Sequence, residues 1–126
     1  MNENKIKVQI NKPVAEVFEF STNPRNTSKW FGSIAEEETS EWPIKLGTIY
    51  RNRGETGDWN ECVVSQLKEN EVFELSSKKT SYHVRYTYTD LGDKTELEYH
   101  EWMDEGELDG TVRQETLDKL KEIMEK

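Results

Sequence analysis

The sequence predicts an α+β domain: a curved seven-stranded antiparallel sheet, in the order strand, helix, helix, six strands, helix, wrapped around a long C-terminal helix. Two observations carry this expectation. Between Ser33 and Met103, short alternating segments are separated only by turn-length gaps, the pattern of an antiparallel meander. Over residues 109–126, Val112, Thr116, Leu117, Leu120, Ile123 and Met124 recur at spacings of three and four, while Arg113, Glu115, Asp118, Lys119, Lys121, Glu122 and Glu125 fill the other side. Such a helix is marginal alone and must lay its stripe on the sheet upstream.

The first element is a half-buried strand over 5–10, where Ile6, Val8 and Ile10 alternate with Lys7 and Gln9. Asn11-Lys12-Pro13 breaks it. Asn11 as cap and Pro13 in the first turn start a short helix whose face is Val14, Val17, Phe18 and Phe20. A second short helix runs over 24–30, with Asn23 as cap and Pro24 in the first turn, and Trp30 and Phe31 close it.

The following strands are expected at 34–40, 48–53, 59–67, 72–77, 82–89 and 95–103, punctuated by Gly32, Gly47, Gly54, Gly57 and Gly92. In the last hairpin, pairing Thr89 with Lys94 sets Tyr88 opposite Thr95, Tyr86 opposite Leu97, Val84 opposite Tyr99 and Tyr82 opposite Glu101. That face is apolar and aromatic. The other face then pairs Arg85 with Glu98, Thr87 with Glu96 and His83 with His100, whereas a one-residue slip sets Tyr86 against Glu96 and makes no core. A turn at Lys78-Lys79 places Phe73 and Leu75 opposite Val84 and Tyr82. Strand four allows two inward sets, Trp59, Val63 and Leu67 or Cys62, Val64 and Gln66; in strand three Tyr50 points in and Arg51 and Arg53 out. The terminal helix starts from a Thr111–Gln114 capping box or from Asp109.

With 126 residues and no compositional break, the chain reads as one domain over 1–126. Only 33% of residues are hydrophobic, so the four Trp, five Tyr and four Phe must supply much of a small core. A net charge of -9 without a basic patch argues against nucleic acid, and the Glu36–Glu38 run reads as a solvated segment. Cys62 is the single cysteine, so no intrachain disulfide forms, and a buried thiol is its expected state. Neither a signal pattern nor a long apolar run is present, which fits a soluble cytoplasmic protein without a membrane span. There is no Gly-rich phosphate loop, zinc spacing or nucleophile elbow, and no cofactor is expected.

The opening Val8-Gln-Ile10-Asn-Lys-Pro13-Val-Ala-Glu-Val17-Phe18, with Trp30, Gly47-Thr48 and the closing amphipathic helix, resembles the helix-grip superfamily. Its members include START lipid-transfer domains, the birch-pollen allergen and polyketide cyclase/dehydrase-like proteins. The likeness spans nearly the whole chain, which is short and polar for that group. It implies a cavity between sheet and helix that often holds a hydrophobic ligand, with catalysis in some members.

Tyr50, Phe73, Tyr82, Val84, Tyr86, Tyr88, Leu97, Tyr99, Val112, Thr116 and Leu120 form the candidate pocket lining, the alternative being that they fill one another's space. Glu101 with Tyr82 is the catalytic candidate, a general base beside a phenol that bonds an enolate, though a carboxylate so near the strand end is expected to be wet. His83 and His100 face outward as a cross-strand pair, and with no third ligand they make no metal site. The four tryptophans are expected at core edges, with Trp42-Pro43 as an exposed patch in the alternative. Three functions follow: a carrier of a small hydrophobic molecule, a cyclase or dehydratase, and a protein-interaction module such as the superfamily members that act on chaperones.

Overall fold

The computed structural model describes residues 2–126, so Met1 of the expected 1–126 domain lies outside it. Strand β1 (Glu3–Ile10) is followed by helices α1 (Val14–Thr22) and α2 (Pro24–Trp30). Then come β2 (Glu36–Thr39), β3 (Ile49–Arg53), β4 (Asn60–Lys68), β5 (Val72–Ser77), β6 (Tyr82–Asp90), β7 (Thr95–Met103) and helix α3 (Gln114–Met124). All seven strands form one antiparallel sheet in the order β1-β7-β6-β5-β4-β3-β2. This is the expected helix-grip arrangement, and β1 closes it by pairing Ile6 with Tyr99 and Val8 with Leu97.

Helix α3 is tied to β1 by side chains that reach strand backbone. Gln114 Nε2 donates to Lys7 O at 2.7 Å, Lys121 Nζ donates to Gln9 O at 2.8 Å, and Asn11 N–H donates to Glu125 Oε2 at 2.7 Å. Leu117 and Leu120 are fully buried in the same core cluster as Ile10, Val17 and Leu97. The helix begins later than expected, at Gln114, with Arg113 as an N-cap that makes no side-chain bond. Neither the Thr111 box nor Asp109 starts it, because Val112 is tied to the sheet, its N–H donating to Glu101 and its carbonyl accepting from Asn4, and Arg113 is extended.

At the other end of the chain, Asn23 separates α1 from α2 and its side chain accepts from Arg25 N, with Pro24 in the first turn as read from the sequence. Helix α1 is preceded by Pro13 rather than capped by Asn11, and runs on to Thr22. There Ser21 and Thr22 return their hydroxyls to the carbonyls of Val17 and Phe18.

Both hairpins are two residues out from the expected register, which leaves the faces unchanged and moves every partner. Tyr88 pairs with Leu97, Tyr86 with Tyr99, Val84 with Glu101 and Tyr82 with Met103. The cause is in the turn: Asp90 ends the strand and its carboxylate accepts from Gly92 N–H at 2.8 Å, while Gly92 adopts φ +91, open to a residue without a Cβ. Likewise Phe73 pairs with Tyr86 and Leu75 with Val84, because Ser77 Oγ accepts from Lys79 N and Thr80 N and lengthens the turn past Lys78-Lys79.

In β4 the pairing with β5 skips between Val64 and Gln66, a bulge that reverses the side-chain parity. Cys62 and Val64 therefore face inward before it and Leu67 faces inward after it, so each of the two alternatives holds over half the strand. Of the tryptophans only Trp30 is core. Trp59 lies under the Arg51 and Arg53 guanidiniums, Trp102 lies between His83 and His100, and Trp42 is 49% exposed.

Candidate functional site

A cavity of about 640 Å³ lies between the concave face of the sheet, Phe31 after α2, and residues 108–112 before α3. Its walls follow from strand alternation, which aims every second side chain of β3, β5, β6 and β7 inward. Tyr50, Phe73, Leu75, Val84, Tyr86 and Tyr99 form the apolar part. Gly54 after β3, Ser77 at the end of β5, and Lys79 and Thr80 in the turn that follows complete the lining on the side of the β3–β4 and β5–β6 connections.

Of the candidate lining residues, Tyr50, Phe73, Tyr82, Val84, Tyr86, Tyr99 and Val112 reach this cavity. Tyr88, Leu97 and Leu120 are packed in the core behind it, and Thr116 faces a separate shallow hollow beside Phe31 and Arg113. Tyr88 is withdrawn because its hydroxyl bonds Ser21 Oγ at 2.6 Å and its ring packs on Phe18. Leu97 and Leu120 are fully buried members of the hydrophobic core.

Glu101 is buried, 3% exposed, and the expectation of a wet rim carboxylate is corrected. Every oxygen is engaged. Oε2 accepts from Val112 N–H at 2.7 Å and Asn4 Nδ2 at 3.0 Å, and Oε1 accepts from Tyr82 Oη at 2.9 Å. Residues 108–112 fold over the strand end and remove it from water. Tyr99 lines the same wall beside Tyr82 and Glu101. Burial raises the Tyr82 phenol well above its usual range, and the Glu101 charge adds to this.

A second carboxylate, Glu37, enters from β2. Its Oε1 accepts from Thr27 Oγ1 at 2.5 Å and its Oε2 from Asn52 Nδ2 at 3.2 Å. Burial raises its pKa, and these two bonds oppose the rise. Reading Glu36–Glu38 as a wholly solvated run missed it, although a signal was present. Outward Arg51 and Arg53 pair across the strands with Glu38 and Glu36, which leaves Glu37 on the inner face opposite Asn52.

Deeper in the cavity than the hydroxyls, amides and charged groups of Ser33, Asn60, Glu61, Lys79 and Asp109, the phenols and one thiol supply further polar atoms. Tyr50 Oη donates to Thr22 O at 2.6 Å, whereas Tyr86 Oη has no hydrogen-bond partner among the described residues. Burial pushes the Cys62 thiol up to about 11, with the Glu37 charge contributing. On the opposite, outer face, His83 and His100 do not face each other as expected. The register sets His83 opposite Trp102 and His100 opposite Arg85, and both imidazoles stack on the Trp102 ring. No cluster of three metal-ligating side chains occurs among the described residues, nor does any helix long and apolar enough to cross a membrane.

Solved structures share this architecture. The protein XoxI from Bacillus cereus superposes with a TM-score of 0.76 at 10% identity, over 98% of this chain and 95% of its own. Protein CV1439 from Chromobacterium violaceum gives 0.71 at 14% identity, over 99% and 98%. CalU16 from Micromonospora echinospora gives 0.67 at 18% identity, over 97% of this chain and 73% of its own. At these identities the likeness establishes the fold alone, and no curated protein matches the chain. The sequence itself, over residues 3–125, fits the pattern of the family described as polyketide cyclase / dehydrase and lipid transport, and the chain belongs to that family.

Proposed function

We propose that the protein binds a small, largely apolar molecule in the cavity between its sheet and residues 108–112. The observation that carries this reading is the cavity itself: about 640 Å³, walled by aromatic rings with polar tips. That volume lies within the few hundred to about 1,000 Å³ usual for small-molecule sites. A core that had simply filled itself would leave no such space, and a protein-contact role would not call for it. Comparing native and denatured mass spectra tests the reading. Extra mass present only in the native state supports it; a bare mass, together with no thermal stabilisation by any of a panel of apolar ring compounds, overturns it.

A second reading is favoured by the burial of Glu101 beside Tyr82. A carboxylate dry on a cavity wall can take a proton from carbon next to a ketone on Oε1, and the Tyr82 O–H that Oε1 held then turns to the enolate oxygen. That is the first step of an aldol-type ring closure or a dehydration. Deuterium exchange at the α-carbon of a bound ketone, faster than in buffer and lost in Glu101→Gln, is the expected result. Exchange at the buffer rate with the wild-type chain would leave binding as the only role.

A further inference from the structure

Four carboxylates line the cavity, and the two that turn into it, Glu37 and Glu101, have no cation beside them, whereas Glu61 pairs with Lys78 at 3.3 Å and Asp109 is exposed. On β2, Glu36 accepts from Arg53 Nη2 at 2.8 Å and Glu38 pairs with Arg51; behind β5, Glu74 holds Arg85 at 2.8 Å. Between the first two, Glu37 turns inward and meets only the neutral Thr27 and Asn52. Glu101 meets only Asn4, Tyr82 and the Val112 backbone. The single basic residue on the lining is Lys79, which is exposed.

Negative charge therefore reaches the interior without compensation. Beyond the larger effect of burial, the Glu37 charge raises the phenols of Tyr50 and Tyr86, and the Glu101 charge raises those of Tyr82 and Tyr99. An anion entering this space would lose its hydration and meet like charge. A neutral hydrocarbon would cover Glu37 and leave its charge with only the neutral Thr27 and Asn52 as partners, at the cost of burying an uncompensated charge. An ammonium group answers both difficulties, and the faces of Tyr50, Phe73 and Tyr86 are surfaces that attract cations. Independently of the carboxylates, Tyr86 Oη is in a side chain only 7% exposed, lines the cavity and has no partner among the described residues, so one acceptor is free for an N–H donor.

Resting on the ligand-binding reading above, we propose that the occupant is an organic cation: a ring-sized apolar body against Phe73 and the inner tyrosines, carrying an amine that pairs with Glu37. Matched probes test it. 1-Naphthylmethylamine, 1-naphthylmethanol and 1-naphthoate share one ring system and differ in charge, and each is titrated calorimetrically into the full chain. The amine is expected to bind about tenfold or more tighter than the alcohol, and the carboxylate weakest. In Glu37→Gln the amine falls to the level of the alcohol while the alcohol is unchanged, which also reports that the variant is folded. The wild-type chain gives an answer without any variant: the preference for amine over alcohol shrinks as pH falls and Glu37 takes up a proton. An alcohol that binds as well as the amine, or an amine preference that ignores both Glu37→Gln and pH, overturns the proposal and leaves the cavity as a site for neutral molecules. Failure of all three probes, with no co-purified mass in the native spectrum, overturns the binding reading as well.

Discussion

Glu101 Oε2 accepts the backbone N–H of Val112 at 2.7 Å, so the last strand of the sheet holds the segment that leads into α3. The same oxygen accepts from Asn4 Nδ2, and Asn4 Nδ2 also reaches Val112 O at 2.9 Å. One carboxylate thus joins β1, β7 and the approach to the terminal helix, and its other oxygen holds Tyr82 on the cavity wall. Function and fold share a residue here. Any catalytic test of Glu101 must be read beside its structural effect.

Glu101→Gln keeps the shape and replaces one acceptor by a donor, which must face either Tyr82 or the Asn4 and Val112 donors. The expected loss is about 1–3 kcal/mol in urea unfolding, the range for leaving a buried polar group unsatisfied. Tyr82→Phe removes a single bond and is expected to cost about 1 kcal/mol. Because the two residues touch, the double variant should lose less than the sum of the single ones.

Three tyrosines make a comparison at constant chemistry. Tyr88 Oη bonds Ser21 and Tyr50 Oη donates to Thr22 O, both at 2.6 Å, so each change to Phe should cost about 1 kcal/mol. Tyr86 Oη has no partner among the described residues, so Tyr86→Phe should stay within about 0.5 kcal/mol of the wild type. Denaturation midpoints at constant slope separate the two outcomes. Equal losses at all three positions would mean that the Tyr86 hydroxyl has a partner in solution.

Glu37 gives a pH dependence whose direction follows from its raised pKa. A folded-state pKa above the unfolded value means that the native state holds the proton more tightly, so the contribution to stability is present at low pH and is lost as pH rises through the folded value. In Glu37→Gln that dependence is absent. Unfolding free energies of the two chains, compared from pH 4 upward, should shift steadily in favour of the variant. A constant difference would show that Glu37 is solvated in the native state.

The arrangement of elements was legible because it rests on local pattern: alternation in the strands, Asn23-Pro24 at α2, and the stripe of α3. Register was legible only to within two residues. A slip of two preserves the faces, so hydrophobicity cannot detect it, and the choice was made by the Asp90 carboxylate on Gly92 N–H and by Ser77 in the preceding turn. The bulge in β4 appeared in the sequence as two inward sets of opposite parity, both of them correct over part of the strand. Burial of Glu101 was beyond reach, since Asn4 and Val112 come from the two far ends of the chain. That of Glu37 was within reach, had the outward arginines of β3 been used to assign β2.

Cys62 offers a direct reading of whether the cavity is occupied, because it lines the wall and is the single thiol in the chain. The thiolate is the reacting species, and a pKa pushed up to about 11 leaves little of it near neutrality. Against an unperturbed thiol near pKa 8.5 to 9, labelling at pH 8 should be slower by about 100-fold from ionisation alone. The rate should climb about tenfold per pH unit up to the pKa, so a plateau near pH 9 would contradict the burial seen here. An occupant adds a steric barrier without changing that slope. Protein as purified should therefore label more slowly than protein refolded from denaturant after dialysis, and adding back the naphthylmethylamine probe should restore the slow rate. Equal rates in all three samples would place the bound molecule away from β4, and would move the site toward Glu101 and the approach to α3.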